Sequence, residues 1–325
     1  DGRSLAIIAN GRGNGSNRAT GINGSTGIIN ISGTNSVGLF STLGGKVTNS
    51  ASGNISVSGS SSLGIVVSDN TSAGTNSGII NITGSSSAGV YNMGTFNMNS
   101  GSITASAPSS VGIYAKPSSA TSITGGTLTV SNGSAAISAE NSTVNMSGST
   151  VNVNSGGLFF YRNGTGAVSG TSTINVNNDG TAFYITGGNT PNLSSMVTSG
   201  NLTLNMAAGS TLVGWDQPTG ILSLNSLSGV LGAPSITNAA INDFSGGTYK
   251  YFVINKANAL IDRNISLYGT GNQYFPRISF ISSSIQIGNS YTVSGTESNQ
   301  IGIAQRNYNG SSGVNAIVLT NNGAV

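Results

Sequence analysis

One pattern recurs along the chain: a small residue, an apolar–polar–apolar triplet, then a small or polar turn. It reads Gly-Ile-Ile-Asn-Ile-Ser-Gly at 27–33, Gly-Asn-Ile-Ser-Val-Ser-Gly at 53–59 and Gly-Ile-Ile-Asn-Ile-Thr-Gly at 78–84. The first apolar residues are Ile29, Ile55, Ile80, Ile103, Leu128, Val151 and Ile174, which follow one another at a nearly constant interval of about two dozen positions. Two residues on, Ile31, Val57, Ile82, Ala105, Val130, Val153 and Val176 repeat the series, always with a polar residue between. Alternation at period two places both sets on one face of a strand. A second strand follows, with Leu39, Ile65, Val90, Ile113, Ile137, Leu158 and Phe183 expected inward, each preceded by Gly or Ala. Each period leaves room for a third short strand, as at Lys46-Val47-Thr48 and Thr121-Ser122-Ile123.

Three strands in each repeat of about 25 residues predict an all-β fold, a right-handed, three-sided parallel β-helix. Strands stacked at ~4.8 Å line up their apolar residues as dry interior ladders and pair their backbone groups above and below. Gly and Asn at the corners supply the positive φ that tight turns demand. About thirteen such rungs are expected along 325 residues. A left-handed β-helix calls for hexapeptide periodicity, and propeller blades of roughly 40–45 residues would break the spacing. Residues 1–206 read as regular rungs and 207–325 as the same solenoid with longer, irregular loops. Trp215-Asp216-Gln217-Pro218 interrupts the pattern; 249–254 and 277–282 look like strands, and 301–304 and 316–319 like returning rung motifs. Neither end shows an obvious cap, so a fragment of a longer chain is expected.

Composition narrows the chemistry. Only 6% of residues are charged, and Ser, Thr and Asn carry the polarity, which suits strand faces and turns better than helices. The net charge is +3 with no Lys/Arg run, so the electrostatic footprint of a nucleic-acid binder is missing. Cysteine and histidine are both absent, which excludes disulfides, Cys- or His-ligated metals and a Ser-His-Asp triad. No apolar run reaches the ~18 residues of a membrane helix, and Asp1-Gly2-Arg3 opens without a signal-peptide pattern. No cofactor or metal is expected.

β-Helix lyases and hydrolases work with clustered carboxylates. The eight acids here are dispersed, and only Asp216, Asp243 and Asp262, with Arg263 nearby, could be stacked together. They read as turn aspartates, and no enzyme is expected. Gly11-Arg12-Gly13-Asn14-Gly15 lacks the strand–turn–helix context of a phosphate loop and reads as a turn.

Binding has better candidates. The position after the second inward row reads Phe40, Val66, Tyr91, Tyr114, Ser138, Phe159 and Tyr184. Alternation turns it outward as an aromatic strip able to stack on sugar faces or anchor a protein. A ladder that merely stabilises its sheet is the alternative. Tyr161 and Arg162 form a second candidate, an aromatic beside a guanidinium. Trp215 and Asp216 form a third, where the repeat is interrupted; a Trp closing a core gap is the other reading.

The Gly-Ile-Ile-Asn-Ile-Ser-Gly rungs, with Ser-Val-Gly-Leu-Phe at 36–40 and Ser-Val-Gly-Ile-Tyr at 110–114, resemble passenger domains of type V autotransporters, particularly the very large fusobacterial-type adhesins. The resemblance covers most of 20–205 and, more loosely, the remainder. It implies a rod displayed on the extracellular face of the outer membrane, or secreted, that adheres to host cells or partner bacteria through a protein or glycan. Membrane attachment would run through a barrel domain absent from this chain, and a monomer is expected. A non-binding stalk segment and a polysaccharide-active β-helix enzyme are the competing readings.

Overall fold

The computed structural model describes residues 4–12, 18–186, 193–217, 219–223, 236–243, 249–261, 265–267, 278–281, 283–287, 293–295 and 319–321. It is a parallel β-solenoid with strands recurring about 25 residues apart and no α-helix among the described residues. Each regular coil contributes three strands, for example Val37–Thr42, Lys46–Asn49 and Asn54–Val57. Each pairs in parallel with its counterpart one coil later: Leu39 with Ile65, Val47 with Gly74, Ile55 with Ile80. The side that begins with Leu5–Asn10 and contains Val37–Thr42 is the first ladder, and it stacks eleven strands. Ten steps at about 4.8 Å make it about 48 Å long. The second and third ladders belong to one sheet, because Thr143–Val153 and Ala167–Val176 run through the corner between them.

The interior rows follow the sequence periodicity. Ile29, Ile55, Ile80, Ile103, Leu128, Val151 and Ile174 are all buried on the third ladder, as are their partners two residues on. On the first ladder Leu39, Ile65, Val90, Ile113, Ile137 and Phe183 are fully buried. Leu158 is a correction. Phe160, not Leu158, pairs with Ile137 and Phe183, and Leu158 lies half-buried in the corner row with Ala135 and Thr181. In the other coils up to Phe183 the inward residue follows Gly or Ala; here it follows Phe159, while Gly157 imitates the signal two residues early. Phe159 therefore occupies the Gly38–Gly64–Gly89–Gly112 position and points inward, where its ring lies 5.7 Å from that of Phe183.

Corners explain the small residues. Asn35, Ser61, Ser86 and Ser109 adopt left-handed conformations, with φ between 53° and 57°, once per coil. Each precedes a buried serine. Ser36 N–H donates to Ser62 Oγ (3.0 Å) and Ser62 N–H to Ser87 Oγ (3.0 Å), so hydroxyls tie successive corners together. On the second ladder Asn23, Asn49 and Asn76 face inward as an amide ladder, each Nδ2 donating to the next Oδ1 at 2.8 Å.

Beyond residue 206 the first ladder continues through Thr211–Asp216, Lys250–Asn255 and Ile278–Ile281. The step from Val213 to Phe252 is more than half as long again as a regular coil, so fewer rungs stack than a uniform repeat implies. Ile221–Ser223, Asn258–Ile261, Ser284–Ile287 and Leu319–Asn321 form a separate four-stranded parallel sheet. Residues 277, 282, 301–304 and 316–318 lie outside the described residues, as do Gly13-Asn14-Gly15, Pro218, Asp262 and Arg263.

Candidate functional site

The outward row of the first ladder runs Ile8, Phe40, Val66, Tyr91, Tyr114, Ser138, Tyr161, Tyr184, Gly214 and Val253, each aligned with the next across a parallel pair. The strip thus exists, with Tyr161 in the place expected for Phe159. Among the described residues between 20 and 206, no aromatic occupies an outward position of the second or third ladder; these are chiefly Ser, Thr and Asn. Aromatic surface therefore gathers on one of three sides.

The tyrosines lean along the solenoid axis. Tyr114 Oη donates to Glu140 Oε2 in the next rung (3.3 Å), where Ser138, its partner across the strand pair, is only 5% exposed. Tyr161 Oη donates to Thr186 Oγ1, again one rung on (3.3 Å). Tyr184 lies over Gly214, where an added Cβ would stand 2.6 Å from its Cδ2 and 3.1 Å from its Cε2. Gly214, with no side chain, gives the Tyr184 ring the room to lie down.

The two tyrosine pairs differ. Tyr91 and Tyr114 meet edge to face, with ring centroids 5.6 Å apart and planes at 84°. Lys116 Nζ stands over the Tyr114 ring, 5.1 Å from its centroid, and is ion-paired with Glu140. The hydrogen bond to Glu140 raises the Lys116 pKa, and the same bond lowers that of Glu140. Partial burial, chiefly, pushes the Tyr114 phenol up. Tyr161 and Tyr184 instead overlap like shingles, centroids 5.8 Å apart and planes within 17°.

The remaining candidates separate. Arg162 takes an inward position between Ala139 and Ile185, donates from Nε to Gly164 O (3.1 Å) and has its pKa lowered by desolvation. Trp215 continues that inward row and, like Phe159, is fully buried, so neither ring offers surface to a ligand. Phe159 was expected outward, and Trp215 either as a binding candidate or closing a core gap; strand pairing turns both inward. Asp216 ends its strand half-exposed and accepts a hydrogen bond from Asn255 Nδ2 (2.9 Å). Asp216 and Asp243 belong to the first and third ladders, so stacking does not align them. No group of three or more acidic residues fit to hold a metal occurs among the described residues.

Reading the sequence alone misses Lys116, Glu140, Thr186, Gly214 and Asn255. Their signal is the register: Ser138, Tyr161 and Tyr184 keep the same two intervals as Leu128, Val151 and Ile174 on the third ladder, whereas Phe159 would shorten the first and lengthen the second. Comparison with known proteins found no matching family model, no matching curated protein and no matching solved structure.

Proposed function

We propose that the chain is the passenger region of a bacterial autotransporter, displayed at the cell surface, and that it works as an adhesin for host-cell or partner-bacterium ligands. The observation that carries this reading is the confinement, among the described residues up to 206, of outward aromatic residues to one side of a rod whose other sides carry chiefly Ser, Thr and Asn. Tyrosine is enriched where proteins recognise partners, because it offers a large amphipathic surface at small entropic cost. A rod with one adhesive side presents the same face to a ligand over many rungs.

A stalk is the second reading, favoured by rings that pack on one another and, at Tyr184, on Gly214. Binding of the labelled chain to host cells and partner bacteria separates the two. Saturable binding that weakens in Tyr114→Ala or Tyr184→Ala is the adhesin result. Absence of binding to every surface tried assigns this segment to the stalk.

A further inference from the structure

We propose that the Tyr161–Tyr184 pair, seated on Gly214 and edged by Asp216 and Asn255, is a subsite for one neutral pyranose ring of a glycan. This rests on the adhesive reading and names the ligand class for one part of the row. Shape comes first. With the planes within 17° and the far ring laid on a residue without a side chain, the pair forms a low platform. The C–H face of a pyranose is apolar and weakly positive, which suits the negative face of an aromatic ring.

The edge supplies polar groups. Asp216 and Asn255 end the two strands after that of Tyr184, in the row that also holds Asn163 and Thr186. Asp216 Oδ1 is held by Asn255, while Oδ2 has no hydrogen-bond partner among the described residues. Sugar hydroxyls both donate and accept, so they can meet a carboxylate oxygen and an amide on one edge. Charges of both signs stand near the platform, Glu140 and Asp216 in the row of Asn163 and Thr186, and Arg162 and Lys256 next to Tyr161 and Asn255, which favours neither a cation nor an anion. At Tyr114, by contrast, Lys116 already stands over the ring.

The test uses the whole chain with cellotetraose, N-acetylchitotetraose and lacto-N-neotetraose, read by saturation-transfer NMR and titration calorimetry, with oligolysine as the cationic probe. At least one tetrasaccharide should bind, with Tyr184→Ala and Gly214→Ala each weakening it about tenfold or more. Gly214→Ala retains the tyrosine but lifts it from its seat, and Ser122→Ala on the second ladder should change nothing. Circular dichroism confirms that each variant keeps its strands. Sugar binding that ignores Tyr184 and Gly214 overturns the site, and oligolysine binding there overturns the neutral ligand. If no tetrasaccharide binds yet the chain still adheres to periodate-treated cells, the glycan is wrong and the adhesin stands. Failure to bind either sugars or cells overturns both.

Discussion

Asp69 shows how a single side chain organises a corner. Its carboxylate accepts hydrogen bonds from the Leu43 N–H (2.7 Å), the Thr71 N–H (3.0 Å) and the Ser72 hydroxyl (2.9 Å), joining two coils. Burial acts to raise its pKa, but hydrogen bonds from the Thr71 hydroxyl, Leu43, Ser72 and the Thr71 N–H outweigh it and hold the carboxyl well below the usual range. A depressed folded-state pKa contributes stability above the unfolded value of about 3.9, and that stability is lost as pH falls towards the folded value. Asp69→Asn should therefore lower Tm at pH 7, and the difference from the parent should shrink below about pH 4. Melting curves from neutral pH to pH 2 check this; a constant difference would remove the carboxylate from the account.

Among the elements, the inward strand rows are uniform enough for exceptions to carry information. The asparagine ladder on the second side is one: Asn49 accepts from Asn23 and donates to Asn76 and to Gly53 O, all within the interior. Asn49→Ala removes the donor to the buried Asn76 Oδ1 and the acceptor of Asn23 Nδ2, a loss of about 2–3 kcal/mol. Asn30→Ala, at an outward position, should stay within about 0.5 kcal/mol. Urea denaturation of the two variants measures the contrast, and equal effects would show that the ladder is incidental. The Phe159–Phe160–Phe183 cluster is the other exception. Its aromatic character is visible in the sequence, but the assignment of Phe159 to the interior depends on the corner before Leu158.

At the scale of the molecule, each coil meets only the coils beside it. Damage should then stay local, because a solenoid is stabilised by nearest-neighbour interfaces. Val90→Ala removes fully buried methyl groups from the strand Ala88–Asn92. Amide exchange should quicken there and in Leu63–Val67 and Val111–Ala115, while Thr181–Thr186 keeps its protection. Uniform acceleration along the rod would mean that it opens as one unit. This one-dimensional build also repeats the outward tyrosine position rung after rung on a single side.

The sequence by itself determined the solenoid, its three strands per coil and the interior Ile, Leu and Val rows. Period-two alternation chooses the buried face, and stacking like residues on like makes the choice repeat. Only the tertiary structure decided which of Leu158, Phe159 and Phe160 faces inward, because corner geometry sets that register. It also decided that Trp215 is buried and that the tyrosines lean onto the next rung. The Tyr184 ring lies down because the following coil offers Gly214, and that partner lies a full coil further along the chain, where the local sequence does not place it.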